Sequence, residues 1–130
     1  MEIMKELEQF IHNLNETWRS ARYENLYEYF HENVVMLPPG TNQPIEGIEQ
    51  MVESYRQFGS FGTIHEFDIT DLKFYHYGSV AMCHMQFKVD YEIETGRFQE
   101  SGLEIYAIDS SGPKPIIVWR SQVTLNANES

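Results

Sequence analysis

The sequence predicts an α+β fold in which N-terminal helices cover one face of a curved antiparallel sheet. Three observations carry that reading. Apolar residues recur at helical spacing as far as Phe58, the period turns strand-like after Gly59-Ser60-Phe61-Gly62, and short turns then divide the rest into a meander.

The elements follow in order. Ile3, Leu7, Phe10, Ile11, Leu14, Trp18 and Ala21 recur three and four residues apart, which puts one apolar stripe on a first helix. A shorter second helix carries Tyr23, Leu26, Tyr27 and Phe30 inward and is closed by His31, where a cationic side chain suits the helix dipole. Val34 to Leu37 is a β-favouring run stopped by Pro38-Pro39-Gly40. Beyond Gly47, a third helix spaces Ile48, Met51, Val52, Tyr55 and Phe58 on one side. Ile64 to Tyr77 alternates as a long strand bent near Thr70-Asp71, and Gly78-Ser79 turns it into Val80 to Glu92. Glu94-Thr95-Gly96-Arg97 reads as a hairpin, with Thr95-Gly96 as its two-residue turn. Phe98 to Asp109 then returns, and Ile116 to Leu125 closes the sheet.

At 130 residues the chain fits one domain, expected over residues 1–125, with a frayed polar tail at 126–130. Nine Lys and Arg stand against twenty Asp and Glu, for a net charge of −11. Nucleic acid and anionic membranes are gripped by clustered cations, so neither is expected as a partner. One cysteine, Cys83, allows no intrachain disulfide, and no secretory signal or membrane-length apolar run is visible. The expected compartment is the cytoplasm.

Trp18, the run from Tyr29 through His31, Val34 and Leu37 to Gly40, Glu46-Gly47-Ile48, and the closing Val118 to Thr124 resemble SnoaL-like proteins of the nuclear-transport-factor-2-like superfamily. The resemblance implies a cone: a strongly bent sheet, of the cystatin-like roll kind, wrapped around three helices with a pocket inside. It also implies a homodimer through the outer sheet face. The superfamily includes isomerases, dehydratases, cyclases and transport factors, so fold alone does not name a reaction. Ketosteroid isomerase places a carboxylate base just before the proline of a turn like Leu37-Pro38-Pro39-Gly40, and Leu37 cannot serve there. Its tyrosine lies in the first helix, whereas the first tyrosine here is Tyr23, beyond that helix.

With the Thr95-Gly96 turn, Met85 would pair with Tyr106 and Phe87 with Glu104. One sheet face then holds Ala81, Cys83, Met85, Phe87, Val89, Tyr91, Glu104, Tyr106 and Ile108, and it is the more apolar and the expected concave side. The other face holds Met82, His84 and Gln86 with Leu103, Ile105 and Ala107, as a dimer interface would. His84 belongs to that interface or to the pocket. His65-Glu66 is too short a cluster to specify a metal, His12 reads as a solvated helix residue, and Cys83 reads as an inert core thiol.

Glu104 and Arg120 each interrupt an apolar run, and a buried charge is costly unless paired. They are expected to meet across neighbouring strands, with Glu104 opposite either Arg120 or Ser121. The pair serves either as a structural cross-link or as a polar anchor for a ligand. The ligand-pocket candidates are Trp18, Tyr55, Phe87, Glu104, Tyr106 and Arg120, with catalytic residues unassigned and no metal or cofactor called for. Two functions remain open. The chain binds a small apolar compound internally, as a cofactor-free lyase or isomerase if it is an enzyme. Alternatively it is a non-catalytic dimerisation or protein-binding module.

Overall fold

The N-terminal apolar stripe folds as α1 (Glu2–Arg19), which buries Leu7, Ile11, Leu14 and Trp18. The computed structural model describes residues 2–60 and 62–129, so Phe61, Ser130 and the side chain of Ile3 lie outside it. After a 3-10 helix (Tyr23–Glu28) come β1 (Phe30–Leu37), β2 (Ile45–Glu46) and α2 (Ile48–Ser60). Four long strands follow: β3 (Thr63–Tyr77), β4 (Val80–Ile93), β5 (Gly96–Asp109) and β6 (Ile116–Glu129). They form one six-stranded sheet in the order β2-β1-β6-β5-β4-β3.

Three sequence expectations need correction. The second helix is a 3-10 helix that ends at Glu28, and Phe30 and His31 belong to β1. Strand pairing wins there because β6 offers a ladder: Ile117 N–H donates to the Tyr29 carbonyl at 2.9 Å and Phe30 pairs with Ile117. Phe30 keeps its buried place in the core from the strand. That pairing is parallel, so the sheet is mixed where an antiparallel one was expected. Finally, β6 continues past Leu125. Residues 126–129, read as a loose tail, pair with residues 98–101 of β5, because backbone ladders form without regard to side-chain polarity.

The β4–β5 hairpin forms, but two residues out of the expected register. Ile93 pairs with Gly96, so the turn is Glu94-Thr95, and Gly96 opens β5 at φ 148°, a backbone angle that favours glycine. Met85 therefore faces Glu104 and Cys83 faces Tyr106. A shift of two preserves the side-chain face, so the concave set survives the error. The bend in β3 falls where expected. Asp71 adopts φ 55° and the pairing with β4 is irregular between Thr70 and Lys73.

The core lies between the helices and the concave face. Ala81, Cys83 and Met85 of β4, Tyr106 and Ile108 of β5, and Ile117 of β6 pack there against α1, Leu26 and α2's Met51, Val52 and Tyr55. Among the described residues no helix is long and apolar enough to cross a membrane.

Candidate functional site

A bulge decides which side chains reach the concave face from β6. Ile108 pairs with Ile117, whereas Ala107 pairs with Trp119, so Val118 is an extra residue between two ladder positions. Without it, inward Ile117 would be followed by inward Trp119 and Arg120 would point to solvent. With it, Trp119 turns outward and Arg120 and Gln122 turn inward. Arg120 is thereby only 8% exposed.

Glu104 lies opposite Gln122, in neither of the two registers expected, and Arg120 lies opposite Tyr106. The charged ends still meet, diagonally. Arg120 donates to Glu104 Oε1 from Nε at 3.1 Å and from Nη2 at 3.0 Å. Gln122 Nε2 donates to the same oxygen at 3.1 Å, and the Tyr106 hydroxyl at 3.3 Å. Burial works against the Arg120 charge, but Glu104, together with Tyr55 and Tyr106, more than offsets it and holds the guanidinium protonated. The guanidinium also lies 4.7 Å from the centre of the Tyr55 ring, a cation–π contact.

Next to this cluster is a cavity of about 200 Å³. Its floor is buried Trp18, Met36, Tyr55, Met85, Glu104 and Arg120, and its rim includes exposed Pro39, Phe58 and Thr124. Five of the six residues expected at a ligand pocket therefore line one space: Trp18, Tyr55, Phe87, Glu104 and Arg120. Tyr106 does not line it, and braces Glu104 from within the core.

Among the described residues, three buried side-chain polar atoms make no hydrogen bond of ordinary geometry: Glu104 Oε2, Asn15 Nδ2 and the Tyr55 hydroxyl, whose nearest polar group is Tyr106. All three residues line the cavity. Four donors converge on Glu104 Oε1 and none on Oε2, which leaves a carboxylate oxygen that can accept. Burial pushes the Tyr55 hydroxyl up to about 12, so at neutral pH it is a donor. Asn15 spends its carbonyl oxygen on Trp18 Nε1 at 2.9 Å and keeps its amide free.

Asn15 and Gln122 escaped the sequence reading. Asn15 had a signal, being a polar residue within the stripe of Ile11, Leu14 and Trp18. Gln122 had one only if the bulge were known.

The histidines lie elsewhere. His84 sits on the outer sheet face, stacked on Tyr75 at 5.5 Å and 3.1 Å from its hydroxyl. His65 meets Glu92 at 3.0 Å, and exposed His12 lies 3.9 Å from Glu8. Burial pushes the Cys83 thiol up to about 12, which makes it a poor nucleophile. Among the described residues no three His, Cys, Asp or Glu side chains converge as a metal site would require.

The family model of the SnoaL-like domain matches residues 7–103. A candidate scytalone dehydratase from Novosphingobium aromaticivorans superposes with a TM-score of 0.86 at 12% identity, over 98% of this chain and 87% of that one. A nuclear-transport-factor-2-like protein from Cytophaga hutchinsonii gives 0.82 at 9% identity, over 96% and 100%. A protein with a cystatin-like fold from Caulobacter vibrioides gives 0.80 at 13% identity, over 97% and 92%. Likeness at such identities establishes the fold, a nuclear-transport-factor-2-like cone of the cystatin-like kind. No curated protein matches the sequence.

Proposed function

The chain belongs to the SnoaL-like domain family, and from the polar atoms left open in its cavity we propose that it binds a compact, mostly apolar molecule there and moves a proton on it. The observation that carries this reading is that three residues lining one space each keep a buried polar atom without a hydrogen bond. Leaving a buried donor or acceptor unpaired costs about 1–3 kcal/mol each, and a ligand that pairs them recovers that cost. The complement of the set is a molecule with one donor, for Glu104 Oε2, and one acceptor, for Tyr55 or Asn15. The volume of about 200 Å³ sets the size. A cavity of roughly 150 Å³ holds benzene, so one ring with small substituents is the right scale.

Chemically, Glu104 Oε2 is the base. It takes a proton from a hydroxyl, or from carbon beside a carbonyl, while the Tyr55 hydroxyl and Asn15 amide donate to the oxygen where negative charge collects. Returning the proton to a different carbon makes an isomerase, and expelling a β-substituent makes a lyase. The likeness to a candidate dehydratase agrees with the second course. Calorimetric titration and native mass spectrometry with para-hydroxyphenyl methyl ketone test the binding step. The expected result is a one-to-one complex, and its absence across small hydroxyaryl carbonyls would remove the reading. A four-ring steroid is a different matter. Leu37 offers no base, and the cavity is smaller than the roughly 300 Å³ at which larger ligand sites begin, so no ketosteroid turnover is expected.

A second reading concerns the opposite sheet face and is compatible with the first. Tyr75, Trp119 and Val123 are exposed there to 43%, 38% and 48%, beside half-buried Met82, His84, Leu103 and Ile105. Contiguous apolar surface of this kind marks an interaction site, and the proposed occupant is a second copy of the chain. Trp119→Glu should convert a dimer into a monomer in sedimentation at micromolar concentration, and a wild-type monomer under those conditions would refute the assembly.

A further inference from the structure

The ring-sized cavity has a neighbour. A second apolar hollow of about 200 Å³ is lined by Phe58, Gly62, Tyr91 and Ile93. Phe58 lines both spaces and is therefore the partition between them. Resting on the proposed ring-binding site, we propose that this hollow is a subsite for the aliphatic tail of the ligand, with Phe58 as the gate that admits it.

The position of Phe58 supports a movable partition. It lies near the C-terminal end of α2 and is 36% exposed. Its two aromatic neighbours meet it edge-on: Trp18 at 5.9 Å and 62° on the cavity side, Tyr91 at 6.0 Å and 63° on the other. A side chain with this much exposure changes rotamer quickly, whereas a packed core ring would not. The walls of the hollow are fixed by contrast. Tyr91 is tied by its hydroxyl to Glu100 Oε1 at 2.7 Å and stacks on Phe98 at 5.7 Å. Gly62 packs its backbone against β4 so closely that a Cβ there would fall 1.8 Å from the Glu92 carbonyl oxygen.

Size points the same way. Each space is about 200 Å³, below the roughly 300–1,000 Å³ typical of small-molecule sites, and the two joined reach that range. The chemistry is divided between them. The polar atoms without partners, Glu104 Oε2, Tyr55 hydroxyl and Asn15 Nδ2, all belong to residues of the first chamber. Of the described residues lining the second, Phe58, Tyr91 and Ile93 offer hydrocarbon or aromatic surface, and Gly62 has no side chain. A ligand with a polar ring and an alkyl chain fits that division, and one with a charged or polar tail does not.

The test is a series of para-hydroxyphenyl alkyl ketones, from methyl to hexyl, titrated calorimetrically into the whole protein. Affinity should rise about fourfold per methylene buried, then level off when the hollow is full. Ile93 lines the hollow and not the cavity, so Ile93→Trp should flatten the rise while the methyl ketone binds as before. Ile93→Phe, a smaller change, guards against a misfolded Trp variant and should lower the plateau. If the methyl ketone binds but the series is flat in the wild type, the tail subsite is refuted and the ring site stands. A series that climbs equally in both Ile93 variants also refutes it, because the tail then goes elsewhere. Failure of every member to bind removes both proposals.

Discussion

Two arginine–carboxylate pairs on the same sheet are built on one local plan and end differently. On the outer face, Asp90 lies opposite Gln99 and takes Arg97 from two residues along the same strand. On the inner face, Glu104 lies opposite Gln122 and takes Arg120 from two residues along. The outer pair is closed. Arg97 bonds Oδ1 at 2.9 Å and Oδ2 at 3.1 Å, Gln99 adds to Oδ2 at 3.3 Å, and both oxygens are occupied. The inner pair is open, because every donor falls on Oε1. A carboxylate satisfied on both sides has done its structural work. One held rigidly by a single oxygen, in a residue that lines a cavity and with its other oxygen unpaired, keeps an acceptor in reserve.

Removing the arginines tests the contrast at its strongest. Arg120→Met strands Glu104 in the core, where its side chain is 6% exposed, and should destabilise the fold by about 3–5 kcal/mol. Urea denaturation measures it. Adding Glu104→Leu to Arg120→Met should recover most of the loss, since an apolar pair of similar volume avoids the desolvation of both charges. Arg97→Met should cost less at neutral pH, because Arg97 is 46% exposed and water can reach the pair, although the Asp90 side chain it leaves is only 11% exposed. Equal losses from the two arginine variants would mean that burial does not separate the pairs.

A smaller effect should appear on binding. Glu104→Gln keeps an acceptor oxygen for the clustered donors but removes the charge from the unpaired oxygen. Hydrogen bonds to charged groups are worth about 1.5–3 kcal/mol, so affinity for para-hydroxyphenyl methyl ketone should fall roughly 10- to 100-fold. Glutamine at 104 that binds as well as glutamate would show that Oε2 is not the contact.

How much of this was legible in the sequence depends on whether the signal was local or relational. The helical stripes of α1 and α2, the strand period after residue 62 and the bend at Asp71 are local and were readable from spacing. The pairing of Glu104 with Arg120 was readable from cost alone, since two opposite charges in apolar runs need each other. Their registers were not. The hairpin turn moved by one residue, and the register therefore by two, because Glu94-Thr95 and Thr95-Gly96 are both acceptable as turn centres. The bulge at Val118 has no glycine or proline to announce it, yet it alone turns Arg120 inward. Phe30 read as helical because its spacing from Leu26 is four, and only the distant β6 makes it a strand residue. The faces survived these errors because the hairpin shift was even. The open oxygen on Glu104 did not show, because it depends on where four donors fall in space.

The smallest predicted effect sharpens the comparison from the acid side. Hydrogen bonds from Arg97, helped by Gln99, hold the Asp90 carboxyl below its usual range. A group with a depressed folded pKa contributes stability that is complete above its unfolded value, about 3.9, and is lost as pH falls through the folded value. The stability difference between wild type and Arg97→Met should therefore be constant from pH 7 to about pH 5 and shrink toward zero as the pH falls below about 4. Its sign follows from the proton count, since below the unfolded value the unfolded chain binds the proton that the folded pair resists. Asp109, held low by Ser111, titrates alike in both proteins and cancels in the difference. Urea midpoints at half-unit steps of pH would trace it. A difference that grew on acidification would mean that Arg97 holds something other than Asp90, and the closed outer pair would no longer be a control for the open inner one.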